Sequence, residues 1–275
     1  MKSHKGIPMS VIQKCFITLA DTLKTLSFLL FIFTSVVSSA QTQDDLYKQA
    51  LKLKGEFKYD EALTIFQQLL KADSSRIEYL TNASFLYSKL GNRQKAEADR
   101  QKYFQKSEYL AKKAISINPN NAEGHYTYAL AIARQNEYAS TKTKIANAKL
   151  IRTECDLALK ANPKHTGALH ILGRWHRSIA GFNFIERGMI NTFFGGVPQG
   201  GSYQDAIDCF SKAVKLEPIY MLHKYELAVT YYERGEGDDY ILCKIWCKKV
   251  LEMKPMDQDD VLTQQKARDL LKKVE

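Results

Sequence analysis

The stretch YQDAIDCFSKAVKLEP, Tyr203 to Pro218, decides how this chain folds. Within it Ala206, Phe210, Ala213 and Pro218 fall at intervals of four, three and five residues. On a helix, Ala206 lets two paired helices approach closely, Phe210 fills the space between pairs one turn on, and Ala213 lets the next pair stack. Pro218 prevents continuation, because it lacks an amide proton and its ring clashes with the preceding turn. The opposing first helix carries Leu172-Gly173, which puts a small residue at the tight crossing.

Working outward, the same pattern returns from Asp44 onward: an apolar helix, a Gly-containing turn, a second apolar helix, then a Pro or polar stop. It resembles the tetratricopeptide repeat, a helical hairpin of about 34 residues. The first hairpin, about 43–75, holds Leu46, Ala50 and Leu53, a turn at Gly55 to Tyr59, then Ala62, Phe66 and Leu69. The second, 76–120, has Tyr79, Ala83 and Leu86, a turn at Gly91-Asn92, and a second helix expected from Arg93 to Ile117, about three turns longer than the type requires. The third, 121–164, has His125, Ala129 and Ile132 and another overlong helix before Asn162-Pro163. The fourth, 165–219, is interrupted between its helices by Ile179 to Ser202, and the fifth spans 220–256 with its turn at Gly235-Glu236-Gly237. Residues 257–275 are amphipathic and charged, as a helix capping the open end must be. The expected architecture is therefore an all-α, right-handed superhelix of about five hairpins, with a C-terminal cap and an insertion in the fourth repeat.

The first forty residues have a different character. Lys2, Lys5, Lys14 and Lys24 precede an apolar run, Leu26 to Val37, which ends in Ser38-Ser39-Ala40. A positive flank, a short apolar stretch and small residues are what membrane insertion and peptidase cleavage of an exported precursor need. Residues 1–40 therefore read as a signal peptide cut after Ala40, leaving a mature chain at 41–275, periplasmic or secreted in a bacterium. The run falls short of the roughly 20 residues that span a bilayer, which disfavours the alternative of an uncleaved N-terminal anchor. Cys15 precedes the apolar run, so it does not sit where a lipidated cysteine belongs.

Removing the leader's four Lys and one Asp from 40 basic and 30 acidic residues leaves 36 and 29, a formal charge of +7. The basic residues lie beside acidic ones along helical segments, and no arginine-rich arm appears, so nucleic acid is not expected as a partner. An acidic peptide or an anionic membrane surface stays open. Cys155, Cys209, Cys243 and Cys247 survive cleavage, an even number that permits disulfides in an exported protein. Cys243 and Cys247 are one helical turn apart, and all four fall where a repeat packs a small side chain, which favours buried thiols.

A narrower likeness lies in the centre of the chain. Leu172-Gly173-Arg174-Trp175-His176, the run Phe182 to Arg187, Phe193-Phe194-Gly195-Gly196-Val197-Pro198, and Leu222 to Ala228 are together similar to the regulator of microtubule dynamics family and its bacterial relatives. The resemblance covers about residues 76–256. It implies the repeat fold and the insertion. Animal members associate with microtubules or with mitochondria and contacts between organelle membranes, but an exported bacterial protein meets no microtubules, so that role is not carried over.

No enzyme, cofactor or metal signature emerges. His125, His165, His170, His176 and His223 show neither an i, i+4 pair with a catalytic Glu nor alternation with Cys. Gly195-Gly196 and Gly200-Gly201 lack the following Gly-Lys-Ser/Thr of a phosphate loop and read as hinges. The groove is the better candidate. First helices line the concave side of such a superhelix, and helical periodicity points Tyr126, Arg134, His170, Arg174, Arg177, Tyr225 and Tyr232 into it, with Tyr47, Leu80 and Tyr87 at its start. Tyr and Arg combine flat contact area with directed donors, and Arg174 and Arg177 are expected at the centre. The function expected is that of an exported, non-enzymatic scaffold holding a protein or peptide. The Lys and Asn pair that clamps a C-terminal carboxylate in some such repeats is missing. The alternative is a carrier of an apolar ligand or lipid through the insertion 180–201, with Phe182, Phe184, Phe193 and Phe194 as ligand residues. That insertion holds too much apolar surface to leave in water, so it is expected to fold back across the groove and extend the core, or else to line a pocket for an apolar ligand or dip into a membrane surface.

Overall fold

The computed structural model of the protein describes residues 42–275. The expected signal segment and the cut after Ala40 lie outside the described residues. Twelve α-helices follow one another there: α1 (42–55), α2 (Tyr59–Ala72), α3 (Ile77–Gly91), α4 (Glu97–Ile117), α5 (Ala122–Gln135), α6 (Thr141–Ala161), α7 (Thr166–Ala180), α8 (Phe184–Phe193), α9 (Tyr203–Leu216), α10 (Met221–Arg234), α11 (Asp239–Leu251) and α12 (Gln258–Leu271). No strand occurs among the described residues.

Each helix from α2 to α6 packs on the next, α7 pairs with α9 across the insertion, and the order resumes to α12. The first helices also touch one another in series, α3 with α5, α5 with α7, α7 with α10 and α10 with α12. This is a stack of hairpins, with α1/α2, α3/α4, α5/α6, α7/α9 and α10/α11 as the pairs. Local chemistry sets the ends. Asn121, His165, Ser202 and Asp257 accept a backbone N–H three residues on, capping α5, α7, α9 and α12. Gly235 ends α10 in the left-handed region at φ 63°, where a side chain would be strained.

The deciding stretch packs as its spacing requires. Ala206, Phe210 and Ala213 are fully buried in α9. A Cβ added at Gly173 would stand 2.8 Å from the Phe210 ring, so the α7/α9 crossing admits only glycine without a shift. Gly91 faces the ring of Phe104 in the same way across α3/α4. Helices α4 and α6 are both 21 residues, against 14 in α2 and α9. The second helix of the second repeat begins at Glu97, not Arg93, and its excess is about two turns. The four residues before it form a turn that frees Arg93 for a distant contact described below. The four cysteines among the described residues are free thiols, with Cys155, Cys243 and Cys247 buried, as expected of small packing residues.

One element departs from expectation. The insertion does not extend the core. Helix α8 buries Ile190 alone, while Phe184, Ile185, Met189 and Phe193 are exposed. Phe182 and Val197 at its flanks do pack on the core formed by α5, α6 and α7. Helix α12, expected as an amphipathic cap, also turns its face at Asp259, Leu262, Thr263 and Lys266 into the concave side of the stack. Asp257 and Asp259 at its start reach back to Arg93 and Lys89 at the end of α3.

Candidate functional site

The concave face encloses a groove of about 1150 Å³. Helical spacing builds its wall. Residues 77, 78, 81, 82, 85 and 89 of α3, and 167, 170, 171, 174, 175 and 178 of α7, recur at three and four, so each helix contributes one stripe. Helices α5, α10 and α12 add Tyr126 and Arg134, Tyr225 and Glu226, and Asp259 and Lys266.

The groove is polar in a specific way. The Nδ1 atoms of His170 and His223 are 2.9 Å apart, and both rings are buried. Two ring nitrogens at that distance need one donor and one acceptor. Burial pushes His170 well below its ordinary pKa, so it is neutral. On the other side of the pair, His223 Nε2 lies 3.4 Å from the Glu217 carboxylate. His165 takes the Ala168 amide on Nδ1, which leaves its Nε2 facing Glu123 at 3.2 Å. Burial alone would raise the Glu226 carboxyl, but the Arg177 and Arg174 guanidinium groups bring it down to about 2. Arg177 lies 2.6 Å from that carboxylate, and Arg174 3.6 Å.

Of the residues expected at the site, the structure gathers Tyr126, Arg134, His170, Arg174 and Tyr225 along the groove, and Tyr47 at its start. Arg177 and Tyr232 do not line it. The Arg177 side chain is 13% exposed against 47% for Arg174, and it is spent internally on Glu226, Glu233 and the Glu226 carbonyl. It is a fixed counter-ion, with all three of its guanidinium nitrogens engaged inside the protein. Tyr232 packs with α11 and the end of α12. Leu80 is core, and Tyr87 contacts Gln67 and Tyr103. None of Phe182, Phe184, Phe193 and Phe194 lines the groove.

Several groove residues escaped sequence reasoning. Lys54, at the end of α1, donates to Asn82 at 2.7 Å and sits over the Phe85 ring, with its pKa lowered by burial. Tyr220 and His223 meet edge to face at 4.6 Å beside His170. Lys89, Asp259 and Lys266 complete the wall. The α12 residues had a legible signal, the i, i+3, i+4, i+7 spacing of 259, 262, 263 and 266, but nothing said which way that stripe faced.

A model of the regulator of microtubule dynamics protein 1-3 family matches residues 41–275. The chain belongs to this family. Regulator of microtubule dynamics protein 1 of Bos taurus is 28% identical over 163 residues, covering 59% of this chain and 50% of its own length. The Homo sapiens protein of the same name is 26% identical over 162 residues, 58% of this chain and 50% of its own. The chain thus spans about half the length of the curated relatives it matches. Among solved structures, a thermophilic TPR protein of Thermus thermophilus aligns with a TM-score of 0.59 at 17% identity, over 82% of this chain and 98% of its own. The fold of this family member is therefore that of the tetratricopeptide proteins. The likeness first visible in the central segments extends over the whole of 41–275.

Proposed function

We propose that the protein is a non-enzymatic scaffold whose concave groove holds an extended, acidic segment of a protein partner. The observation that carries this is a charge imbalance within the wall. Glu78, Glu123, Glu217, Glu226 and Asp259 each lie within 4 Å of a basic or imidazole nitrogen of the protein itself. Lys54, Lys144 and Lys266 also line the groove, and none of them forms an ion pair among the described residues. Carboxylates of a ligand would complete them, with Tyr126 and Arg174 supplying flat contact between. The test is fluorescence anisotropy with a Glu/Asp-rich synthetic peptide of about a dozen residues. The Lys144→Glu, Lys266→Glu variant changes two exposed side chains and should bind at least about tenfold more weakly, roughly 1.4 kcal/mol, with unaltered thermal unfolding. Equal binding by both proteins refutes the reading.

Export is part of the same proposal. The leader at 1–40 directs the chain to a bacterial periplasm or medium and is removed after Ala40. Intact-mass measurement on protein from its host should find a chain beginning at Gln41, and an intact N-terminus refutes it. The alternative, an apolar-ligand carrier built on Phe182, Phe184, Phe193 and Phe194, draws support only from the exposed apolar side chains of α8. Stoichiometric lipid extracted from purified protein would favour it over the peptide reading.

A further inference from the structure

Helix α8 is built inside out. Ile190 is the buried residue of α8, and Glu186, Arg187 and Asn191 on the same side of the helix are polar and bond to nearby backbone. Asn183 and Glu186 form a reciprocal capping box at its start. Arg187 donates to the carbonyls of Phe182 and Ile179 at 3.0 and 2.7 Å, and the Asn191 side chain accepts from the Val197 amide at 2.9 Å. Phe184, Ile185, Met189 and Phe193 lie on the opposite face at spacings of one, four and four, with Phe184 90% and Phe193 74% exposed. No Cα of α8 comes within 8 Å of a Cα in any other helix from α2 to α12. The helix therefore stands off the stack, firmly tied by polar bonds, with its apolar face presented to solvent.

Such a face requires an occupant, and two observations choose between candidates. The four side chains expose roughly 500 Å² of apolar surface, given the 150–250 Å² that an aromatic side chain presents. A stable protein interface takes about 800 Å² from each partner. A projecting ridge of this size suits a fluid apolar phase, which needs no complementary pocket. The second observation is charge. The adjoining half of α6, from Thr141 to Arg152, holds no acidic residue and, besides the groove-lining Lys144, carries Lys142, Lys149 and Arg152, the last paired with Asp156 at 2.7 Å. Lys149 reaches the Gly195 carbonyl just beyond α8, and Lys142 lies two turns away on the same face of α6. Apolar side chains flanked by lysines are the pattern of a helix that lies in an anionic membrane interface. We propose that α8 is a membrane-contact element that inserts Phe184, Ile185, Met189 and Phe193 into the surface of an anionic bilayer. This contact is separate from the groove and independent of its ligand.

Phe184→Trp tests it on the full chain, with the unsubstituted chain as the background for Trp175 and Trp246. Vesicles of phosphatidylglycerol and phosphatidylcholine should shift the added emission to the blue, and lipids brominated on the acyl chains should quench it. Pure phosphatidylcholine vesicles should give a several-fold smaller effect. A Phe184→Asp, Phe193→Asp variant should lose vesicle binding by roughly tenfold or more with an unchanged thermal melt, because both positions are exposed. An emission that neither shifts nor quenches on phosphatidylglycerol vesicles overturns the proposal. So does burial of the same indole on self-association, seen by sedimentation without lipid, which would assign the face to a second copy of the chain.

Discussion

Replacing Arg93 with Ala should loosen the end of the superhelix rather than its middle. No Cα of α3 lies within 8 Å of one in α12, so the two helices meet only through side chains. Arg93 spans the gap to Asp257 at 2.8 Å and Asp259 at 3.1 Å, and Lys89 reaches Asp259 at 2.9 Å. Two solvated charges so arranged contribute about 0–1 kcal/mol, whereas removing one member of a buried pair costs about 3–5 kcal/mol. The Arg93 side chain is 16% exposed and that of Asp257 9%, which places the loss between these limits, at about 2–3 kcal/mol. Asp257 also caps α12 through the Asp260 amide, so its removal mixes two effects, and Asp259→Asn is the better partner substitution. A double-mutant cycle of Arg93→Ala with Asp259→Asn, read by urea denaturation, should give a coupling of about 1–2 kcal/mol, reduced in 1 M salt where screening is felt within about 3 Å. Hydrogen exchange should rise first in α12. Additive losses together with unchanged α12 protection would refute the reasoning.

Gly173→Ala should cost roughly 1–3 kcal/mol in denaturant unfolding, because its Cβ would meet the buried Phe210 ring at 2.8 Å; a neutral result would mean the α7/α9 crossing can widen. Stability should fall as the solution is acidified below about pH 6.5, since burial lowers His170 and His176 and only the unfolded chain takes up their protons there. This contribution is present above the unfolded value and lost on the way down to the folded one. A denaturation series flat between pH 7 and 5 would contradict it. A further loss should set in below about pH 4.5, because Glu226, at about 2 in the fold, stays ionised while its unfolded counterpart is protonated.

The fold was legible because each hairpin repeats a local rule. Ala206, Phe210 and Ala213 state their packing in their spacing, and Gly173 states the crossing angle's demand for space. The first helices' inward stripe was legible for the same reason, and it brought five of the seven expected residues to the groove. What failed depends on partners far away in sequence. Arg174 and Arg177 differ by three positions, yet Glu226 of α10 consumes one and only grazes the other. Arg93 reads as a helix residue, yet it lies in a turn from which it reaches Asp257, 164 positions on. In the insertion, apolar content misleads as a sign of burial. Its inner face carries the polar bonds, and composition cannot reveal that inversion.

An open solenoid can lengthen or shorten by a repeat and remain intact, since each unit needs only its neighbours. The bridge from α3 to α12 removes that freedom. Adding or deleting one hairpin between them would carry Asp257 and Asp259 along the superhelical path and out of reach of Lys89 and Arg93. The number of hairpins in this protein is thereby a quantity under physical control, set by the span of two side-chain contacts, and insertions are tolerated where α8 sits, at a turn within a hairpin that leaves the spacing between α3 and α12 untouched.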